Sequence, residues 1–295
     1  MTHKTVLLHE TIDGLDFHPG DTFLDGTFND GGHSVEVCKT HQGSVRIIGI
    51  DLDSDALSRA REVFLEKPCR ITLHEENFKN LDTVLDEEDI EEVDAILFDL
   101  GFSSVQLEES GRGFSFLRDE PLKMTLSKEE SGLTAKEIVN EWDQEHIESI
   151  IRHYGEERRA KKIAEKIVEA RSEKPITSTK ELAEIISEAT GKRKSKIHPA
   201  TKTFQALRIT VNDEIESLKT GLEKGFERLS PDGRFAVISF HSLEDRIVKR
   251  FFRNKHREGL ALNLTKKPIT PTPEEIQNNR RSRSAKLRII KKLKI

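Results

Sequence analysis

The segment FLDGTFNDGGHS, residues 23–34, decides the fold prediction. It begins as a short apolar run, which predicts a buried strand, and after Asp25 it breaks into a polar turn that contains Gly31 and Gly32. The residues that follow are compatible with a helix. A strand, a turn and a helix in this order can hold a ligand at the amino end of the helix.

The alternation of strand and helix patterns continues through the first hundred residues. Further apolar runs end at Asp51 and Asp99, and segments with helical spacing lie between the runs. Strands that alternate with helices predict right-handed crossovers and a parallel sheet. The alternation stops after Gly101.

The second half of the sequence predicts an interruption of that sheet. Strand patterns are absent from about 134 to 228, and they return at 234–240 after a Pro-Asp-Gly turn. We therefore predict an α/β doubly wound sheet with an all-helical insertion. The sheet domain comprises residues 1–112 and 206–295, and the insertion comprises residues 113–205.

Local signals predict where several helices begin and end. Ser54 is expected to cap a helix, and residues 134–137 and 178–181 fit the capping box, in which a hydroxyl and a glutamate satisfy backbone amides reciprocally. Gly155 and Gly191 stand where helix ends favour a positive φ.

Composition limits the classes of protein that this chain can be. Of its 295 residues, 35% are hydrophobic and 34% charged, which fits a polar globular protein. No apolar run is long enough to span a bilayer, and the N-terminus lacks a signal-peptide pattern, so we expect a cytoplasmic location without membrane contact. Cys38 and Cys69 show no C-x-x-C pairing, which indicates neither a disulfide framework nor a zinc site, and no metal is expected.

Charge is distributed unevenly. The formal net charge is −5, yet residues 191–208 and 278–295 contain no acid and respectively six and eight Lys or Arg. Two acid-free segments in an acidic protein favour a polyanionic partner such as RNA. The first segment supplies the candidate RNA-binding residues, which are Lys192, Arg193, Lys194, Lys196, Lys202 and Arg208.

The predicted strand ends define a candidate ligand site. Ligands of open α/β sheets bind at the carboxyl ends of the strands. The glycine turn at Gly31 and Gly32, Asp51 twenty residues after Gly31, and Asp99 all occupy such positions. At this spacing a carboxylate commonly accepts hydrogen bonds from ribose hydroxyls.

The residues of the turn favour one class of nucleotide. The turn lacks the lysine of a phosphate-binding loop and the G-x-G-x-x-G spacing of a dinucleotide site. It carries Asp25 and Asp30 instead, and carboxylates suit a ligand with an ammonium and a sulfonium group. S-adenosylmethionine is such a ligand.

Longer motifs carry a specific resemblance. The chain resembles the bacterial small-subunit ribosomal RNA methyltransferase H family from His3 to about Arg288. The motifs that carry it, in order, are HKTVLLHETIDGL, DGTFNDGGHS, FDLGFSSVQL, RGFSF, YGEERRAKKIA, HPATKTFQALRI, ISFHSLEDRIVKRFF and RSRSAKLRI.

The resemblance implies a fold, an activity and a set of site residues. It implies a class I, Rossmann-like S-adenosylmethionine-dependent methyltransferase sheet with an inserted helical domain. It also implies methyl transfer to N4 of a cytidine in the decoding region of 16S ribosomal RNA in the small ribosomal subunit. The cofactor contacts carried over from the family are Gly31, Gly32, His33, Asp51, Phe78, Asp99 and Gln106.

The implied reaction needs help from the protein. The exocyclic amine of cytosine is a poor nucleophile because its lone pair is delocalised into the ring. A carboxylate directed at the amine would stabilise the positive charge that develops on nitrogen. Asp99, with Ser103 or Ser104, is the candidate catalytic group.

Departures from the family pattern keep an alternative open. The segment PLKMTLS, residues 121–127, has Lys123, Thr125 and Ser127 where the family usually has two acids and an arginine. The alternative is a catalytically altered or inactive RNA-binding or ribosome-assembly paralogue on the same fold. A nucleotide-dependent oxidoreductase is disfavoured by the missing glycine fingerprint. The sequence leaves the oligomeric state, monomer or homodimer, open.

Overall fold

The computed structural model describes residues 4–102, 110–127, 132–191 and 198–294. The chain folds into two compact units. The first comprises residues up to 103 and from 215 onward, and the second comprises residues 104–214.

The first unit is built on one sheet, which has seven strands within the described residues. The strands are β1 (Thr22–Asp25), β2 (Arg46–Asp51), β3 (Arg70–Glu75), β4 (Val93–Asp99), β5 (Leu229–Ser239), β6 (Ala261–Asn263) and β7 (Lys286–Lys292).

The helices follow in chain order. They are α1 (Leu8–Leu15), α2 (Gly32–Thr40), α3 (Ser54–Phe64), α4 (Leu81–Glu87), α5 (Ala135–Glu141), α6 (Gln144–His153), α7 (Ala160–Glu173), α8 (Thr179–Thr190), α9 (Thr201–Val211), α10 (Glu214–Glu227), α11 (Ser242–Arg257) and α12 (Pro273–Asn278).

The strand order is β3-β2-β1-β4-β5-β7-β6. Strands β1 to β5 pair in parallel, whereas β7 is antiparallel to both β5 and β6. The direction of the order reverses between β1 and β4, and ligands of open α/β sheets bind at such a switch point. This is the class I, Rossmann-like sheet that the sequence predicted.

Both faces of the sheet are covered, because alternate strand residues point to opposite sides. Phe23 of β1 packs in a cluster with Leu15 of α1 and Val37 of α2. The next residue, Leu24, packs in the opposite cluster, which includes Leu222 of α10. Burial on both faces holds the strand ends in fixed positions.

The second unit is helical, as predicted for residues 134 onward. Between 132 and 191 and between 198 and 214 the described elements are helices α5 to α9 and the start of α10. The Thr134–Glu137 capping box is confirmed at the start of α5. Ser178 accepts the amide of Glu181 at the start of α8, but the Glu181 carboxylate accepts the amide of Thr177.

Two predictions of helix ends were wrong. The side chain that caps α3 belongs to Asp53 rather than Ser54, because Asp53 accepts the amide of Asp55. Gly191 has the expected positive φ of 67°, whereas Gly155 does not have a positive φ. A Cβ atom at Gly155 would lie 2.6 Å from the carbonyl oxygens of Ile151 and Lys202, so close packing selects that glycine.

The Pro-Asp-Gly turn is part of β5. The strand begins at Leu229, before the turn, and the β4–β5 register shifts between Val93 and Ala95. Asp232 takes a φ of 69°. The extra residues therefore form a bulge within the strand rather than a separate turn before it.

The structure pairs Cys38 and Cys69 in a disulfide with a Cα–Cα distance of 5.8 Å. The expectation of unpaired cysteines was therefore wrong. The residues lie 31 positions apart, and only the folding of α2 beside the start of β3 brings them together.

Across the ranges that the structure describes, no helix has both the length and the apolar character that crossing a bilayer requires.

Candidate active site

The site is built on the ends of neighbouring strands. Asp25, Asp51 and Asp99 are the last residues of β1, β2 and β4. These strands are adjacent and parallel, with β1 between the other two. The topology therefore brings the predicted residues Asp51 and Asp99 to one edge of the sheet, with Asp25 between their strands.

The glycine turn places the start of α2 at this edge. Gly31 has a φ of 71° and precedes the helix, and no side chain caps the first turn. A Cβ atom at Gly31 would lie 2.7 Å from the Phe28 ring, and one at Gly32 would lie 1.9 Å from the hydroxyl of Thr5. Packing within the protein thus requires both glycines. The uncapped amides leave the amino end of α2 attractive to an electron-rich group.

His33 is buried in the first turn of α2. Its Nε2 atom lies 3.2 Å from the carbonyl oxygen of Val6. Its Nδ1 atom lies 3.8 Å from a carboxylate oxygen of Asp99. The ring therefore lies between the N-terminal segment and the end of β4. This places His33 beside Asp99, and both are predicted cofactor residues.

Asp51 organises the loop that follows β1. One carboxylate oxygen accepts the amide of Asn29 at 2.6 Å, and the other accepts the amide of Asp53 at 2.8 Å. Burial raises the pKa of Asp51 to about 6 against the effect of these hydrogen bonds, and the charges of Asp53 and Asp30 add to the rise. Each carboxylate oxygen has a second lone pair, so the group can still accept hydroxyl donors.

Asp99 ends the central strand β4 and is 8% exposed. Its amide donates to the hydroxyl of Thr27, and one carboxylate oxygen accepts the amide of Gly101 at 3.4 Å. Burial, together with the charges of Asp25 and Glu244, raises the pKa of Asp99 to about 7. A cation beside this group would favour its ionised form.

Asp25, which the sequence analysis noted as a carboxylate of the turn but did not include among the cofactor contacts, also lies at this edge. It is 2% exposed, and its Oδ2 accepts the hydroxyl of Ser34 at 2.7 Å. Its Oδ1 has no hydrogen-bond partner among the described residues. Burial raises the pKa of Asp25 to about 7, and the charge of Asp51 contributes. The strand-end rule that selected Asp51 and Asp99 would also have selected Asp25.

Phe78 begins a short 3-10 helix after β3. Its ring centroid lies 4.7 Å from that of Phe98, and its ring occupies the space that a Cβ atom at Gly221 would need. The residue is half-buried. It belongs to the edge of the hydrophobic core and leaves part of its surface open to a ligand.

Two of the predicted RNA-binding residues have partners within the second unit. The ammonium of Lys202 donates to the carbonyl of Glu156 at 2.7 Å. The guanidinium of Arg208 donates two hydrogen bonds of 2.8 Å to the carboxylate of Glu214. Both side chains thus support local structure, and their contact with RNA stays a prediction.

Several predicted residues lie outside the described ranges. They are the candidate catalytic residues Ser103 and Ser104, the cofactor residue Gln106, and the RNA-binding residues Lys192, Arg193, Lys194 and Lys196.

His241 and Glu244 lie at the end of β5, next in the sheet to β4. His241 caps α11, and the Glu244 carboxylate accepts the amides of Phe240 and His241. The N-cap of this helix is His241 rather than Ser242, the hydroxyl residue that follows it. Glu244 is buried, and its charge reaches Asp99.

The electrostatics of this edge favour a cation. The charge of Asp51 raises the pKa of Asp25, and the charge of Asp25 raises the pKa of Asp99. Residues 25–33 contain no lysine or arginine. A positively charged ligand would relieve this repulsion.

Comparison with known proteins identifies the family. The model of the MraW methylase family matches residues 1–293. The chain belongs to the MraW methylase family. A protein of Clostridium botulinum (strain Kyoto / Type A2), named "Ribosomal RNA small subunit methyltransferase H", is 44% identical over 99% of this chain and 99% of its own length. Relatives with the same name from Caldicellulosiruptor saccharolyticus and Lachnospira eligens are 45% and 42% identical, and cover 99% of this chain and 99% and 98% of their own lengths.

Membership of the MraW methylase family indicates which cofactor the chain uses. A methylase on this sheet topology takes its methyl group from S-adenosylmethionine. The described residues fit that molecule, because the unpartnered Oδ1 of Asp25 and the neighbouring carboxylates suit its cationic groups. The uncapped start of α2 suits its carboxylate.

Proposed function

We propose that the chain transfers a methyl group from S-adenosylmethionine to N4 of a cytidine in the decoding region of 16S ribosomal RNA. The observation that carries this proposal is the match over 99% of the chain, at 42–45% identity, to relatives named "Ribosomal RNA small subunit methyltransferase H". The resemblance of the sequence motifs supports the base and the atom.

The residues at the strand ends hold the cofactor in this proposal. When bound, S-adenosylmethionine supplies a methyl group activated by the positive charge on sulfur. Asp25 and Asp99 provide negative charge beside the cationic groups, and Asp51 accepts the ribose hydroxyls. Gly32 and His33 at the start of α2 would hold the carboxylate, and Phe78 would lie beside the adenine.

Asp99 also acts on the acceptor base. A carboxylate held in a buried site stabilises positive charge more strongly than one in water. The hydrogen bond from the Gly101 amide and the packing around β4 hold the Asp99 side chain in one place. The carboxylate can therefore stabilise the charge that develops on the amine without reorganising. Orientation of the base and the methyl group can lower the barrier by a further ~7–11 kcal/mol.

The helical insertion recognises the RNA. A cytidine is reachable only in single-stranded or flipped-out RNA, because a duplex covers the reacting edge of the base. We propose that residues 113–205 and the rest of helix α9 contribute to this recognition, with the basic residues of 191–208 in contact with phosphates.

A second candidate function is RNA binding without methyl transfer. The departures at 121–127 favour it, since Lys123, Thr125 and Ser127 stand where the family pattern that the chain resembles has two acids and an arginine. Lys123 is exposed, while Leu122 and Met124 on either side are buried. The substitution therefore adds a cation at the surface of the second unit.

Methyl transfer to small ribosomal subunits separates the two functions. Subunits from cells that lack this modification are incubated with isotope-labelled S-adenosylmethionine, and the digested RNA is analysed by mass spectrometry. We expect one labelled N4-methylcytidine per subunit. Binding of subunits without transfer supports the second function, and a label on another atom or base contradicts the assignment of N4. Assembled subunits and naked RNA, tested in parallel, identify the form that is methylated.

A further inference from the structure

Helix α11 carries a row of basic residues on its outer face. Lys249, Arg250, Arg253 and Arg257 are all exposed. Their spacing of three, four and seven residues places them on one side of the helix. We call these four residues the α11 stripe. With a rise of 1.5 Å per residue, the stripe is about 12 Å long.

The opposite face of α11 fixes the orientation of the stripe. Val248 and Phe252 are buried in the core beneath the sheet, and Ile247 and Phe251 pack against the same cluster. The helix therefore cannot turn its basic side inward without exposing these apolar groups. The stripe faces solvent in the folded unit.

The acids of α11 do not neutralise the stripe. Glu244 is buried in the capping interaction, and Asp245 pairs with Lys286 and Arg288 of β7. Within the part of the chain that the structure describes, no ion pair involves a residue of the stripe. Its four charges are available to an external partner.

A stabilising effect on the helix itself accounts for the basic residue at only one end of the stripe. Cations near the carboxyl end of a helix interact favourably with its dipole, which accounts for Arg257 in the last turn. Lys249 and Arg250 lie in the middle of the helix. Like charges four residues apart, such as Lys249 and Arg253, weaken a helix. A polyanionic partner would screen the repulsion between these cations and would attract each of them.

The position of α11 connects the stripe to the active site. The helix begins directly after β5, the neighbour of β4 in the sheet, and its first turn contains Glu244. The charge of Glu244 raises the pKa of Asp99. The stripe begins five residues further along the helix, so it lies in the same unit as Asp99 and leads away from the strand ends.

We propose that the α11 stripe binds the phosphodiester backbone of the RNA that carries the target base. This inference rests on the proposed function, because it requires an RNA substrate. The stripe supplies phosphate contacts from the cofactor-binding unit itself, whereas the sequence located the RNA contacts in residues 191–208. Such contacts set affinity and position without reading base identity.

The test compares two triple variants of the full chain. The first is Lys249→Gln/Arg250→Gln/Arg253→Gln, which keeps good helix-forming residues. The control, Lys39→Gln/Arg61→Gln/Arg70→Gln, removes the same charge from exposed positions on α2, α3 and β3 of the same unit. Binding of small ribosomal subunits and of 16S ribosomal RNA is measured over a range of KCl concentrations.

Loss of phosphate contacts has a defined salt signature. We expect the stripe variant to bind roughly 10- to 100-fold more weakly near 0.1 M KCl, with a log–log salt slope about 2 shallower than wild type. The control should change affinity by less than about threefold. Affinity for S-adenosylhomocysteine, and kcat at saturating RNA, should be unchanged in both variants.

The outcomes separate this inference from the proposed function. Wild type that neither binds nor methylates small-subunit RNA overturns the proposed function and this inference with it. If wild type methylates the RNA but the stripe variant and the control variant show the same log–log salt slope of binding, the RNA-binding role of the α11 stripe is overturned and the proposed function stands. If the triple variant unfolds, the single variant Arg253→Gln should still reduce the slope by about 0.7.

Discussion

The carboxylate of Asp51, at the end of β2, accepts the backbone amide of Asn29 at 2.6 Å. Asn29 lies in the loop after β1 and has a φ of 51°. This hydrogen bond joins two neighbouring strand ends and shapes the turn that leads into α2. The residue predicted to bind the ribose therefore also builds the loop beside it.

The substitution Asp51→Asn tests both roles of that side chain. The new amide group must face either the Asn29 or the Asp53 amide, so two donors oppose each other, and we expect stability to fall by about 1–3 kcal/mol. If ribose hydroxyls donate to Asp51, wild type prefers S-adenosylhomocysteine over its 2′,3′-dideoxy analogue, and the variant loses most of this preference. An equal preference in both proteins, measured by calorimetry, contradicts the ribose role.

The substitution Gly32→Ala tests the packing of the turn. The new Cβ atom would lie 1.9 Å from the Thr5 hydroxyl, and we expect a loss of about 1–3 kcal/mol in unfolding free energy. Adding Thr5→Ala removes the clash, so the double variant should be more stable than the sum of the single effects. Gly132→Ala is the control, because a Cβ atom there meets nothing within 4 Å. Strict additivity in chemical denaturation would exclude the clash.

The substitution Asp99→Asn separates catalysis from cofactor binding. Without the negative charge, the amine loses its electrostatic stabilisation, and we expect the rate of a single turnover with small subunits to fall about 10²- to 10³-fold. The affinity for S-adenosylhomocysteine, measured separately, should fall far less. Full turnover at unchanged affinity would show that Asp99 has no electrostatic role in the reaction.

The sequence predicted the sheet and the position of Asp51 and Asp99 at one of its edges because these signals are local. Apolar runs that end in aspartate gave β1, β2 and β4 and located Asp51 and Asp99. The absence of strand patterns from about 134 to 228 predicted the helical insertion. These features depend on the hydrophobic periodicity of the sequence and on the rule that ligands bind at the carboxyl ends of parallel strands. Neither requires knowledge of contacts between distant residues.

The features that the sequence missed depend on contacts between distant parts of the chain. The Cys38–Cys69 pair forms because α2 and the start of β3 lie together. Gly155 is selected by the carbonyls of Ile151 and Lys202. That the Oδ1 of Asp25 is buried without a hydrogen-bond partner among the described residues can be known only from the structure. Tertiary packing decides each of these features, and the spacing of residues along the sequence does not predict which distant residues pack together.

The substitution Asp25→Asn tests the cost of burying this carboxylate without ligand. The pKa of Asp25 is about 7 in the folded protein, above its ordinary value of 3.8, with Asp51 and Asp99 as its charged neighbours. Its stabilising contribution is therefore complete below about pH 4 and is lost as the pH rises through 7. Relative to wild type, the cofactor-free variant should gain about 2–4 kcal/mol between pH 4 and pH 8.

Chemical denaturation of the cofactor-free protein at a series of pH values measures that difference. The exposed residue Asp13 supplies the control variant, Asp13→Asn, which removes one carboxylate from the surface of the same unit. A stability difference between Asp25→Asn and wild type that stays constant from pH 4 to pH 8 would show that Asp25 titrates normally.

The central claim is that carboxylates at the strand ends form a site for a cationic methyl donor, and parallel calorimetric titrations with S-adenosylmethionine and S-adenosylhomocysteine test it most directly. The two ligands differ in the sulfonium charge. As Asp51, Asp25 and Asp99 ionise with pKa values of about 6 to 7, the affinity ratio should shift toward S-adenosylmethionine between about pH 5.5 and pH 8. We expect this shift to be about tenfold in wild type and smaller in Asp25→Asn. A ratio that is independent of pH, or equal in the two proteins, would contradict the account.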